Sequence, residues 1–433
     1  MKSTKKLKSA GVLVGTTLLA ASCASGSGSS DEPEADSIDL RMTVWTSADA
    51  HLDLFQGIAD AYMETHPEIS SIKFDPLPFD DYTSTLTTQI AGGSPPDLAW
   101  IFDDTAPDFV QSGALVPLND VLESTDGYEF HDLNEKALEL WKDDTEILAY
   151  PFSTSPFVTF VNEDLLEESG LPNSEEMVSS GDWTWEKVSA AGSKVKEETG
   201  KNGFIIRDFE YLDWVYLSTV WNGWGASPWD EAGTTCTFDS PEMVSAFEFL
   251  HDAAFESNSM PGPGTTADFF AGDAAFTVTQ ISRASELPED GFNWELLSLP
   301  HGPEGEYSVT GQAGLGVLTA SKNEDAAAEF LAFFTNPENA EELAEFFPPP
   351  RESLLTAEVL SESNPRLSPE QIESVVVPGI ETGEVRPGHS NNQEISQKVR
   401  ASLDDLWKNN ADIEEILGAT CASIETYLKD AES

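Results

Sequence analysis

Cysteine and histidine are scarce in this chain, three and six among 433 residues. The histidines are scattered, and none stands with the cysteines at metal-ligand spacing. That gives no support to a zinc site, and a lone histidine is usually a satisfied surface or core residue. Basic side chains are few beside their opposites, 22 against 78 acids, for a formal charge of −56. Phosphate backbones and anionic lipid surfaces repel such a balance, so nucleic acid is excluded as a partner. Long apolar runs are missing beyond residues 10–21, and nothing later reaches the roughly 18 unbroken apolar residues of a membrane span. No glycine-rich phosphate loop follows a strand, and no Gly-x-Ser-x-Gly elbow occurs. Acids are numerous enough to hide a glycosidase pair, but nothing singles out two. These absences, with no metal or cofactor motif, favour a protein that binds over one that converts.

What is present begins with a leader. Lys2, Lys5, Lys6 and Lys8 precede the apolar run, and "LAASCASGSGSSDEPEAD" follows it. A basic start, an apolar stretch of this length and small residues before a cleavage point read as an export signal over 1–22. Cys23 resembles the acceptor of a bacterial lipoprotein signal, which implies a lipid anchor at the membrane. Residues 23–37, rich in Ser, Gly and acids, read as a flexible tether. The acids are spread along the whole chain rather than clustered. They read as a solubility feature suited to salty surroundings, where ions screen the self-repulsion. Cys236 and Cys421 remain, and their spacing leaves a disulfide and two free thiols equally open.

The body of about 390 residues is long enough for two domains with substantial cores. "SIDLRMTVW" alternates Ile38, Leu40, Met42 and Val44 with polar neighbours, the period of a strand. "DAHLDLFQGIADAYMETHP" places Leu54, Ile58 and Tyr62 at helical spacing, and Pro67 stops it. A strand in "SIKFDPLP", a helix in "DDYTSTLTTQIAGG" and a strand in "DLAWIF" continue the alternation. Strands alternating with helices imply the α/β class, with parallel pairing through crossover helices. Further on, Ser240 is placed to cap a helix that opens on Pro241 and carries Met243, Phe247 and Ala254 on one stripe. Strands follow in "AAFTVTQ", "FNWELLSLP" and "GLGVLTA", and the chain ends in helices carrying Leu403, Leu406, Ile413, Ile416 and Leu417.

The order of these segments carries a resemblance. "VWTSAD", "YTSTLTTQIAGGSPPDLAWIFDD", "SGALVPL", "YPFSTSPFVTFVNEDLLEESGL" and "DWTWEKV" resemble the sugar-binding lipoproteins of ABC importers. These form the extracellular solute-binding family that includes maltose-binding protein. "FFAGDAAFTV", "LPHGPEGE", "GLGVLTASKNEDAAAEFLAFF" and "FPPPRESL" continue the match to the C-terminus. The resemblance implies a two-lobe periplasmic-binding-protein fold, type II-like, with the ligand in the interlobe cleft. It implies an N-terminal lobe of 38–151 plus 312–350 and a C-terminal lobe of 152–311 plus 351–433. The first crossing falls just after Tyr150 and Pro151, and the return lies near Gly311. A monomer without catalytic residues, cofactor or metal is implied, with permease subunits as its partner.

Candidate ligand residues follow, each with a plainer role beside it. Trp45, where the first strand leaves the sheet, is either a sugar platform or packing under the next helix. The resemblance puts a sugar-binding carboxylate at Asp103 or Asp104, a polar contact or hinge turn at Ser155, and a loop-holding role or ligand contact at Arg351. Gln280 and Gln312 stand where an amide reaches the cleft or caps a strand. In "WNGWGASPW", Trp221 lies seven residues after Trp214, the spacing of a core stripe, yet both it and Trp224 are candidates for the cleft wall. Trp224 has no helix to hold it, and an indole face matches the apolar face of a sugar ring. The family's aromatic after "AAFTV" is missing, and Ser282 stands near its place. The reading is capture of a sugar or oligosaccharide. A cationic solute such as a polyamine, caged by acids and tryptophans, and a secreted glycoside hydrolase are the alternatives.

Overall fold

The structure is a computed structural model that describes residues 37–207, 209–288, 291–363 and 365–429. The leader and tether expected over 1–36, with Cys23, lie outside the described residues. Ile38 onward is one compact unit. Eleven strands are described: β1 Ile38–Val44, β2 Ile69–Pro76, β3 Leu98–Phe102, β4 Lys142–Asp143, β5 Glu146–Ile147, β6 Tyr150–Asn162, β7 Asn202–Ile206, β8 Ala274–Gln280, β9 Trp294–Leu297, β10 Val309–Val317 and β11 Glu384–Val385. Nine of them pair in the order β2-β1-β3-β10-β6-β8-β7, with β11 on β10 and β9 on β6; β4 and β5 pair apart.

The expected alternation holds at both ends of this order, where β1 runs parallel to β2 and β3, and β7 parallel to β8. The middle departs from it. There β10 is antiparallel to β3 and β6, and β6 is antiparallel to β8 and β9. All-parallel pairing fails because two strands carry the chain across and back, and a crossing and its return run in opposite directions.

The strand β6 is buried at all 13 positions. Its first part pairs with β10, ending at Pro156 opposite Thr310, and from Phe157 opposite Gln280 it pairs with β8. Proline donates nothing to a ladder and is tolerated where pairing changes, so Pro156 suits the point at which β6 exchanges partners. Tyr150 and Phe152 enter one core, Phe157 and Val161 a second, and Val158 and Phe160 a third on the other face. Burial on both faces explains why this stretch lacks polar alternation.

The first core gathers Leu40, Met42 and Val44 under the helix Asp49–Thr65. That helix buries Phe55, Ile58, Ala59 and Tyr62, while Leu54 remains at the edge. The second core packs Trp185, Phe204, Trp221, Phe247 and Phe276 against the C-terminal helices. Its helix Pro241–Phe255 is capped as expected, the Ser240 hydroxyl accepting the Met243 N–H at 3.2 Å. Gly314 is needed because a Cβ there would stand 2.4 Å from the Trp141 ring.

Cys236 and Cys421 form a disulfide, which decides between the two options open from spacing. The bond ties the loop after Trp229 to the helix Ile413–Lys429 across 185 residues. Removing it from an oxidised chain by Cys236→Ser with Cys421→Ser is expected to lower unfolding free energy by about 2–5 kcal/mol. Denaturant midpoints with and without reductant check this; a wild-type midpoint indifferent to reductant would mean that no bridge forms.

Candidate functional site

The ends of β1 and β3, the turn after β8 and the two crossing strands converge on a cavity of about 480 Å³. Open α/β sheets place ligands beyond the carboxyl ends of their strands, and this volume suits a small organic ligand. One wall is aromatic: Trp45, Phe79, Phe102, Phe152 and Phe347. Trp45 stacks on Phe102 with ring centroids 4.2 Å apart, and Phe79 meets Phe102 edge-on at 5.0 Å. Trp45, Phe79 and Phe102 are only half-buried. The polar lining is built by Thr46, Ser47 and His51, which follow Trp45, and by Gln280, Ser282, Arg283, Ser285 and Glu286 from the end of β8 and the helical turn Ile281–Glu286. Arg283 pairs with Glu286 at 2.8 Å, and Arg207 reaches the same carboxylate at 2.9 Å.

Between the walls lies a buried ion pair. Asp103 is fully buried, and its carboxylate accepts from Arg386 Nε at 3.1 Å, from Arg386 Nη2 and from the Gln312 N–H at 3.0 Å. Arg386 also sits over the Tyr216 ring, 4.6 Å from its centroid. The Gln312 side chain accepts the Trp141 Nε1–H at 3.1 Å. A buried charge is tolerable only when its hydrogen bonds are filled, and here β3, β10 and the segment after β11 fill them.

Four of the expected residues, Trp45, Ser155, Gln280 and Gln312, line the cavity together. Ser155 is buried and its hydroxyl accepts the Ser282 N–H at 3.3 Å, a hinge contact that joins β6 to the polar wall. The others are elsewhere. Asp103 holds Arg386 beneath the cavity, and Asp104 faces away to accept from Asn392 Nδ2 at 3.1 Å, so neither carboxylate lines the cavity. Trp221 is 1% exposed and stacked on Trp214 at 6.0 Å. Trp224 is 8% exposed and packs on Phe249 at 5.1 Å. The chain past Trp221 continues as a turn of 3-10 helix, Asn222–Trp224, which turns the Trp224 indole into the core before Gly225 at φ 69° ends it. Arg351 is completely buried over the Tyr128 ring, 3.6 Å from Asp132 and 2.9 Å from the Thr335 carbonyl, a fastening remote from the cavity.

Phe79, Phe102, Phe152, Phe347 and Arg386 escaped the sequence reading. Phe102 and Phe79 end or follow strands just as Trp45 does, which was a usable signal; Phe347 and Arg386 come from remote segments and carried none. Two larger hollows, of about 780 and 760 Å³, lie around Tyr62 and His66 and along residues 221–231 with 384–388. The second is floored by Trp221 and Trp229, which at 1% and 8% exposure offer little ring face to a ligand.

Two carboxyls beside the ion pair are held partly protonated. Burial pushes Asp104 up to about 6, with Arg386 opposing and Asp103 adding to the rise. Burial first, then Glu394 and Asp104, pushes Asp108 up to about 7. A carboxyl whose folded pKa is raised stabilises the fold below its unfolded pKa, and that contribution is lost as pH rises through the folded value. Stability from these groups therefore falls between about pH 4 and pH 7. Asp108→Asn is expected to flatten that fall in denaturant melts taken across the range. Asp103→Asn is expected to cost about 3–5 kcal/mol, because it leaves the Arg386 charge buried without its counter-charge; chemical denaturation at neutral pH measures it.

Comparison with known proteins agrees with this geometry. An arabinooligosaccharide-binding protein of Halalkalibacterium halodurans is 26% identical over 344 residues, 75% of this chain and 74% of that protein. An ABC substrate-binding protein from Listeria monocytogenes, solved with cycloalternan, superposes with a TM-score of 0.78 at 22% identity, covering 90% of this chain and 98% of that one. The acarbose-binding GacH receptor of Streptomyces glaucescens gives 0.76 at 20% identity, covering 91% and 99%. The shared fold is the two-lobe solute-binding architecture with a cleft between lobes. With the sequence profile described as bacterial extracellular solute-binding protein matching residues 48–341, the chain belongs to that family.

Proposed function

We propose that this protein is the substrate-binding component of an ABC importer, which captures a sugar or oligosaccharide outside the cytoplasm and delivers it to a permease. The observation that carries this reading is the pairing of an aromatic wall with a hydrogen-bonding wall across one cavity. A pyranose has an apolar C–H face and a rim of hydroxyls, and that is the chemistry these two walls complement. The oligosaccharide ligands named for the relatives support the same class.

Membership of an extracellular family places the chain outside the cytoplasm. We take Cys23 as its lipid anchor, residues 1–22 as the export signal and 23–37 as the tether, on the strength of the leader's composition. The lobes divide at β6 and β10, as 38–151 plus 312–350 and 152–311 plus 351–433. In support, the first core draws on Leu40 to Phe152 and Ala313 to Phe347, and the second on Phe157 to Val309 and Ile395 to Leu428.

Binding without turnover, and a neutral rather than a cationic cargo, rest on one detail. Glu286, on the polar wall, is engaged by Arg207 and Arg283. A carboxylate tied to two guanidiniums has its oxygens occupied and is poorly placed to reach a glycosidic oxygen. The only carboxylate among the described lining residues is Glu286, already engaged, so the cavity has no free acid to cage a polyamine. A thermal-shift screen of the mature domain against saccharides, polyamines and amino acids tests the class. A saccharide at a hundred times its Kd is expected to add about 2.7 kcal/mol of stability. A polyamine response without a saccharide response would overturn the cargo. Trp45→Ala is expected to weaken saccharide binding by about 1–3 kcal/mol in calorimetric titration.

A further inference from the structure

Two arginines are deeply buried among the described residues, and they use their nitrogens differently. Arg351 spends both terminal nitrogens on the fold, Nη2 on the Thr335 carbonyl at 2.9 Å and Nη1 beside Asp132 at 3.6 Å. Arg386 gives Nε and Nη2 to Asp103, and among the described residues its Nη1 has no hydrogen-bond partner. The Arg386 side chain is 7% exposed and lines the cavity, and Nη1 is not sealed off as the Arg351 Nε is. Little freedom remains to it. The guanidinium lies 4.6 Å from the Tyr216 ring centroid and 5.8 Å from that of Phe157. Two residues on, a Cβ at Gly388 would stand 2.9 Å from the Asp104 carbonyl oxygen, so the segment runs directly against the backbone after β3. Asn392 Nδ2 adds its bond to the Asp104 carboxyl at 3.1 Å. A guanidinium fixed on one edge by a carboxylate and on one face by a ring presents its open edge in a set direction, with little ordering left for a ligand to impose.

We propose that Arg386 is a ligand-contact residue whose Nη1 donates to an oxygen of the saccharide, and that Asp103 is the positioning residue that aims it. Arginine has no acceptor, so the group it meets offers an oxygen lone pair; with its charge answered by Asp103 it requires no anion. The pair joins the two proposed lobes, Asp103 on 38–151 and Arg386 on 351–433, so this contact ties the ligand to both. It rests on the saccharide reading above and deepens it.

Isothermal titration tests it, using whichever of arabinotriose, maltotriose, xylotriose and cellotriose binds the wild type tightest. Arg386→Lys keeps the charge but loses the planar fork, and Arg386→Gln loses both. Each is expected to weaken binding roughly tenfold or more, the order of a lost hydrogen bond to a charged group. Asp103→Asn is expected to weaken binding several-fold while Arg386 is present. Added to Arg386→Gln, the same change is expected to alter Kd by less than about twofold, because nothing remains to be aimed. That double variant carries no lone buried charge, and melting temperatures report which variants fold. Asp103→Glu, which keeps the counter-charge and moves it by one methylene, serves in the cycle should Asp103→Asn not fold. A purely structural pair predicts lower melting temperatures with unchanged affinity. Wild-type affinity in either folded Arg386 variant overturns the proposal while leaving saccharide capture intact. An equal loss of affinity from the Asp103 change with and without Arg386 overturns the positioning role. Failure of all four saccharides to bind, with silence across the wider saccharide screen, overturns both readings together.

Discussion

The structure depends on two strands that serve two cores at once. The strands β6 and β10 lie side by side, antiparallel, from Thr310 opposite Pro156 to Leu315 opposite Tyr150. Each then continues into other partners, β10 onto β3 and β6 onto β8 and β9. A buried strand must satisfy its backbone groups on both edges and its side chains on both faces, so it offers little freedom to slip. Much of the cavity is referenced to this pair: Ser155 and Gln312 are on it, Gln280 is on the flanking strand β8, and Asp103 directly follows the flanking strand β3.

The ion pair of Asp103 and Arg386 takes its meaning from that position. It binds the segment after β11 to the end of β3, and the Gln312 backbone N–H brings β10 to the same carboxylate. Charge that is costly to bury is kept because every donor and acceptor around it is engaged. Asp104 and Asp108, nearby on the same segment, are raised chiefly by burial, Asp104 against the pull of Arg386 and Asp108 further by Glu394 and Asp104. The polar wall repeats the same economy, since Glu286 answers Arg207 and Arg283. In a chain so rich in acids, Glu286 on the cavity lining and Asp103 behind it are thus both held by arginine.

Several elements were legible in the residues because their signals are local. The alternation of Leu40, Met42 and Val44, the Ser240–Pro241 helix start and the stop at Pro67 each rest on neighbours a few residues away. The place of Trp45 on the cavity was legible for a related reason: it leaves a strand at the end where α/β sheets place ligands. The burial of Trp224 was not legible, because a missing helical period reads as freedom from the core. A single turn of 3-10 helix is too short to show a period, yet long enough to turn an indole inward against Phe249.

Sequence by itself determined the class of the chain: its α/β alternation, its acidity and, through the order of its segments, its family. Tertiary structure alone decided which residues share the cavity. Phe347 and Arg386 reach it from far along the chain, and Asp103 is turned from candidate ligand to counter-ion by an arginine 283 residues away. The pairing of Cys236 with Cys421 was likewise settled only in three dimensions. Periodicity and capping act over a turn or a strand, whereas burial, ion pairing and ring contact depend on distances that only the folded chain sets.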